Sequence, residues 1–263
     1  MVEGEPRGCG GGELTVDTTT WIDVWGVTIG SPVTAGTNLV VALQCAYYAL
    51  HFRGAGSERR TGWTLFFAAM ALATLAGVPK HGLRHLLGGD VLASVLWTSS
   101  VASGAAVYFA QRATIASRAQ SVTRRHLERV AGAQVALFLA ANVVLGPEIL
   151  LIIAHTAVGL VPVIVVEALA RRGGDERGGW VASGLMVSLL TGLVYVFELS
   201  LGRWFNHIDL AHALMGVSFY LIARGVPDTS RDRVGAREEW APPHVRPVAR
   251  VNLAGMGGAQ GGV

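Results

Sequence analysis

Charge is what this chain has least of: only 15% of its 263 residues are Asp, Glu, Lys or Arg, against 51% hydrophobic. A soluble domain of this size carries about 25% charged residues, so water is not the expected main solvent. Cysteine is almost absent too. Cys9 lies in the N-terminal segment and Cys45 in the first apolar stretch, at different depths, so no disulfide is expected and Cys45 reads as core packing. Residues 1–20 are Gly-rich and polar and lack the apolar run of a signal peptide, which leaves the first span as its own insertion signal. Lysine occurs once, as Lys80.

Apolar runs long enough to cross a hydrocarbon core about 30 Å thick occur instead, at 33–52, 62–83, 91–111, 130–146, 148–170, 179–201 and 207–223. The expected fold is therefore all-α, a bundle of seven transmembrane helices spanning 33–225. It would be preceded by an N-terminal tail and interfacial segment (1–32) and followed by a disordered tail (226–263). Gly146-Pro147 cuts the fourth run short, and a re-entrant pair formed by runs four and five is the alternative there.

Basic residues orient the bundle. Seventeen of the 21 fall in alternate loops and the C-terminal segment; only Arg7, Lys80, Arg84 and Arg203 fall on the other side. Cytoplasmic loops retain positive charge, so the N-terminus is expected outside and the C-terminus in the cytoplasm. The expected location is the cell membrane, as a multi-pass protein. The same split accounts for the arginines without nucleic acid.

With that topology the ionisable residues gather on the outer side. Span two ends at Lys80, His81, Arg84 and His85; span three begins at Asp90; span six ends near Glu198; span seven opens with His207, Asp209 and His212. Ionisable side chains in a membrane mark function by default. His81 and His85 are four apart, and Asp209 and His212 three apart, so each pair shares a helix face. Neutral imidazoles suit zinc, whose bound water would attack an ester or amide carbonyl. Bland readings compete: Asp90 suits a cap for span three, Asp209 suits the helix dipole, and His85 suits the headgroup region. Glu198 reads as deep, where a bare carboxylate is costly; it would either support a metal-bound histidine or pair with Arg203.

These residues resemble the CREST superfamily of seven-span membrane hydrolases, which includes the alkaline ceramidases and the progestin/adiponectin-type receptors. Members carry a serine and a histidine near the end of span two, an aspartate soon after, and two histidines on span seven. The matching positions are His81, Asp90, His207 and His212. The resemblance implies a zinc-dependent hydrolase of a lipid amide or ester. His81, His207 and His212 would hold the metal, Asp90, Asp209 or Glu198 would serve catalysis, and Lys80, Arg84 and His85 would bind substrate. The chain departs from the pattern at Gly77, where the family has serine. It departs again at His207 and His212, which are five apart rather than four, so Asp209 is an alternative ligand.

Two other classes fit the composition. A haem-binding electron-transfer protein needs histidines facing one another at mid-span, where only His155 is deep. A non-catalytic seven-helix sensor or transporter needs no such pair. A retinal protein needs a lysine inside the bundle, and Lys80 sits at the membrane edge.

Overall fold

The computed structural model describes residues 20–54, 57–202 and 204–226; the two tails expected at the chain ends, and Arg203, lie outside the described residues. Seven α-helices follow a short hairpin: α1 (Pro32–His51), α2 (Glu58–Gly82), α3 (Gly89–Arg118), α4 (Ser121–Leu145), α5 (Ile149–Arg172), α6 (Glu176–Val196) and α7 (His207–Gly225). The first six are long and apolar enough to cross a membrane. α7 falls short of that measure, because His207, Asp209, His212 and Arg224 dilute its hydropathy.

The helices start and stop on local chemistry. Ser57 caps α2, accepting the Arg60 N–H, and Asp175 caps α6, accepting from Arg177 and Gly178. α7 opens with a reciprocal capping box: Asn206 accepts from the backbone of Ile208 and Asp209, while the Asp209 carboxylate accepts the Asn206 N–H. α6 stops at Val196, five residues short of the apolar run, because hydropathy continues past the last helical hydrogen bonds through Phe197 and Leu199. α3, at 30 residues, is about 45 Å long, and so overruns the expected span at its arginine-rich end.

A hairpin was not foreseen in the interfacial segment. Strands β1 (Trp21–Val24) and β2 (Val27–Gly30) pair antiparallel, Trp21 opposite Gly30. Trp25 and Gly26 both take positive φ at the turn (51° and 80°), the geometry that matches the twist of a two-residue hairpin. Ser31 N–H donates to the Thr20 carbonyl at 2.7 Å, clasping the hairpin base directly before α1.

Around the bundle α1 packs on α2, α2 on α3, α3 on α5, α5 on α6, α6 on α7, and α7 closes onto α1; α4 lies against α3 and α5. Small residues permit the closest approaches. A Cβ on Gly184 of α6 would stand 2.6 Å from Ile222 and 2.7 Å from the Ser218 carbonyl of α7, the close packing on which membrane helices rely where lipid removes a hydrophobic drive. An aromatic cluster joins α1, α2 and α7, with Phe67 5.1 Å from Tyr48 and Phe66 5.8 Å from Phe219 between ring centres. α4 is held by polar contacts: Gln111 donates to Gln134 (2.8 Å), Gln134 to the His155 carbonyl (3.1 Å), and Ser100 to Asn142 (2.7 Å).

At the arginine-rich end lies a buried ion-pair network. The Glu167 carboxylate is fully buried and accepts from Arg59 (3.1 Å), Arg118 (2.9 Å) and the Thr114 hydroxyl (3.1 Å). Arg118 also pairs with Asp175, ahead of α6. Burial alone would raise the Asp175 carboxyl, but the hydrogen bond and charge of Arg118 outweigh it and hold the carboxyl below its ordinary range. A depressed acid contributes stability above its unfolded pKa and loses it as pH falls through the folded one. This tie therefore persists through the ordinary carboxylate range and fails below it.

Removing one partner of a buried ion pair leaves an uncompensated charge and costs about 3–5 kcal/mol. Glu167→Gln leaves two guanidiniums facing one carboxylate, so unfolding in mixed micelles should show a loss of that size. A loss under about 1 kcal/mol would place the network with solvent-screened surface pairs.

Candidate functional site

Three helices bring polar groups together at the other end of the bundle. α1 contributes Thr34, Thr37 and Asn38 from its first two turns, α2 contributes Gly77, Lys80 and His81 from its last two, and α7 contributes Asp209 and His212. The three- and four-residue spacings on each helix put these groups on one face. Pro79 has no N–H, so the last turn of α2 lacks one helical bond as it delivers Lys80 and His81.

Asn38 is the hub. It is buried, its Nδ2 donates to the Thr34 carbonyl at 3.0 Å, and the same nitrogen lies 3.4 Å from His212 Nδ1. Its Oδ1 fills the space beside Gly77, where any Cβ would collide with the amide. Position 77 therefore accepts no side chain while the Asn38 amide stays where it is. Thr37 Oγ1 also meets His212 Nδ1, at 3.2 Å. Neither Thr37 nor Asn38 stands out in the sequence, since a Thr or Asn near the start of a span usually serves its own helix end.

His81 is half-buried and makes no hydrogen bond with another described residue. The Lys80 ammonium acts electrostatically on both His81 and His212, and His212 acts on His81. The convergence of spans two and seven is therefore present, with a contribution from α1 that was not foreseen. Asp209 is also buried here. One oxygen serves the α7 cap and the other, Oδ1, has no hydrogen-bond partner.

Other candidates stand apart from this group. His207 packs edge-on against Tyr195 of α6, ring centres 5.3 Å apart. Asp90 is exposed in the first turn of α3, behind the capping residue Gly88. Arg84 and His85 are exposed on a short 3-10 turn (Arg84–Leu86), where the His85 ring meets Trp21 of the hairpin at 5.2 Å. The expectation of a deep Glu198 is corrected: it lies beyond the end of α6, exposed, with φ 51°. The helix stops before it, and no protein packs over its side chain. His155 stacks on Phe138 (4.2 Å) and meets Gln134 rather than a second histidine. Besides Asp209, Glu167 is buried, and its signal was a lone charge in the run Val165-Val166-Glu167-Ala168.

Among the described residues no three His, Cys, Asp or Glu side chains form a group able to hold a metal ion, while a catalytic zinc takes three protein ligands. His212 Nδ1 faces both the Thr37 hydroxyl, which donates to the Thr34 carbonyl, and the Asn38 amide.

Serine at position 77 should be accommodated only if Asn38 yields. Overpacking costs about 1–3 kcal/mol, so Gly77→Ser should lower thermal stability by that much in detergent. Combined with Asn38→Ala, it should cost less than the sum of the two single changes. Strict additivity would mean that the two positions do not compete for one space.

No curated protein and no solved structure matches this chain. Residues 33–231 match the family of unknown function DUF6962, and over that stretch, most of its length, the chain belongs to this family.

Proposed function

We propose that this chain is an integral membrane protein of the cell membrane that hydrolyses a lipid amide or ester at its outer face. Its N-terminus would lie outside, its C-terminus in the cytoplasm, and α7 would serve as a seventh span. The observation that carries the reading is the join of α1, α2 and α7, where Thr37 and Asn38 meet His212 Nδ1 and Asn38 packs on Gly77, one turn before His81. Orientation rests on the alternating arginines. α7 crosses despite its low hydropathy because Asp209 and His212 face the bundle rather than lipid.

The chemistry follows from the hydrogen bonds. His81, with no protein partner, takes a proton from water as the water oxygen attacks the acyl carbon. Lys80 steadies the oxygen that gains charge as the carbonyl opens. His81 then gives the proton it took from water to the leaving nitrogen or oxygen as the acyl bond breaks, while His212, held by Thr37 and Asn38, orients the substrate. A carboxylic acid and an amine or alcohol result. No step passes through a metal.

The test uses the full chain in nanodiscs containing N-acyl and ester lipids, with mass spectrometry of released fatty acid. His81→Ala and His212→Ala should each reduce release about 10²- to 10⁴-fold, and a chelator should leave it unchanged. Lipid binding without release in the wild type would overturn the hydrolase reading in favour of a non-catalytic sensor. Loss of release with chelator, restored by zinc, would overturn the metal-free chemistry. For topology, a reporter fused after Gly225 should be active only in the cytoplasm.

A further inference from the structure

The arginines of the bundle fall into two groups. Arg59 and Arg118 meet Glu167 and Asp175, Arg124 meets Glu58 and Glu128, Arg60 donates to the Phe52 carbonyl, and Arg224 lies over the Trp180 ring. Arg112 on α3 and Arg125 and Arg129 on α4 are exposed instead, and none of their side chains has a hydrogen bond or ion pair with a described residue. Local structure does not call for them. Arg125 and Arg129 are four apart on one helix face, where like charges repel. Arg125 also stands in the second turn of α4, where the helix dipole disfavours positive charge. Glu128, the single acid of α4, is already held by Arg124. Arg171 and Arg172, by contrast, close α5 at the end where the dipole favours them.

Depth accounts for the three. Gln111 donates to Gln134 at 2.8 Å, which fixes the register of the antiparallel helices α3 and α4. Arg112 follows Gln111 directly and Arg129 lies just over one turn before Gln134, so at 1.5 Å per residue their backbones differ in level by about 6 Å. Arg125 is one turn further out. A hydrocarbon core about 30 Å thick takes up about 20 residues of helix; counted from the start of α3 at Gly89, it ends just before Arg112. All three side chains therefore reach the headgroup layer at the arginine-rich end. Beneath them Val130 and Leu137, which share a face of α4, are exposed at the depth of acyl chains. An acidic protein segment would match the guanidiniums and leave this apolar strip unmet, whereas a phospholipid matches both. We infer that the α3–α4 surface binds an anionic phospholipid, its phosphodiester held by Arg125 and Arg129 with Arg112 at the same level, its acyl chains lying along Val130 and Leu137. Guanidiniums suit phosphate through parallel N–H···O bonds, and each basic side chain at the membrane surface adds to the attraction for anionic lipid. Binding of this kind needs the helices to cross a bilayer but not to hydrolyse anything, so it rests on the membrane half of the proposed function alone.

The experiment uses the full chain, with native mass spectrometry of the lipids it retains from micelles holding phosphatidylglycerol and phosphatidylcholine in equal amounts. The wild type should retain phosphatidylglycerol in preference. Arg125→Gln combined with Arg129→Gln should weaken that retention about 25-fold and Arg112→Gln about fivefold, near fivefold for each charge removed. Arg53→Gln, exposed past the end of α1, should leave it unchanged. Thermal unfolding separates binding from folding. In phosphatidylcholine nanodiscs the double variant should melt no lower than the wild type, since it loses only a like-charge pair; phosphatidylglycerol should raise the melting temperature of the wild type more than that of the variant. No preference for phosphatidylglycerol, or an equal loss in Arg53→Gln, would overturn the inference by leaving only diffuse surface charge. Displacement of the lipid by inorganic phosphate alone would overturn it by assigning the arginines to a free anion, and a double variant that melts lower in phosphatidylcholine would make them structural. A chain that stayed in solution without detergent would defeat the membrane reading and this inference together.

Discussion

Glu167 sits in an apolar helix with no water to solvate it, and the arrangement of the surrounding helices follows from that need. Its two oxygens are satisfied by side chains from α2 and α3, and Arg118 extends the tie to Asp175 at the start of α6. Arg59 and Arg118 meet the two carboxylates there, and Arg177 acts electrostatically on Arg59. The buried Glu167 cannot lose its guanidiniums without bearing the desolvation cost of an unpaired charge. Glycine reinforces this at Gly178, where a Cβ would meet the Glu167 backbone carbonyl at 2.7 Å. The helices are locked at this end by charge and along their length by small-residue contacts.

The other end is built differently. Its polar groups come from helix termini, where the backbone already breaks pattern: the last turn of α2 after Pro79, the clasped start of α1, and the capping box of α7. These devices set the positions of Lys80, Asn38 and Asp209 without consuming all of their bonding capacity. A free imidazole on His81 and an unfilled oxygen on Asp209 remain. Open groups occur elsewhere too, at Trp63 Nε1, His155 Nε2 and Ser218 Oγ, but at this end they lie beside the hydrogen bonds of Thr37 and Asn38 to His212.

Much of this was legible in the chain. Hydropathy located the helices to within a few residues in most cases, since an apolar stretch in lipid has little option but to satisfy its backbone as helix. The direction of alternate spans then brought His81 and His212 to one end. Hydropathy failed where it ceased to track hydrogen bonding. Phe197, Leu199 and Leu201 prolong the apolar run beyond α6, and reading them as helix placed Glu198 inside it. The hairpin was hidden because Trp25-Gly26 is an uncommon turn pair, although Trp21 to Gly30 alternates in character. Thr37 and Asn38 were illegible for another reason: their partner is 174 or 175 residues away, and only the closure of α7 onto α1 makes them neighbours. Glu167 was legible and overlooked, because attention to one end of the bundle left a solitary carboxylate at the other unread.

The ion-pair cluster also bears on how the protein is made. Arg59 and Arg118 leave the ribosome well before Glu167, which lies 108 residues after the first and 49 after the second. While α2 and α3 are in place without α5, their guanidiniums must stay with water or headgroups, which keeps those helix ends from seating fully. Arrival of α5 supplies the missing charge, and α6 follows with Asp175. The order of synthesis thus becomes an order of assembly, in which the first three helices remain provisional until the fifth has entered the bilayer.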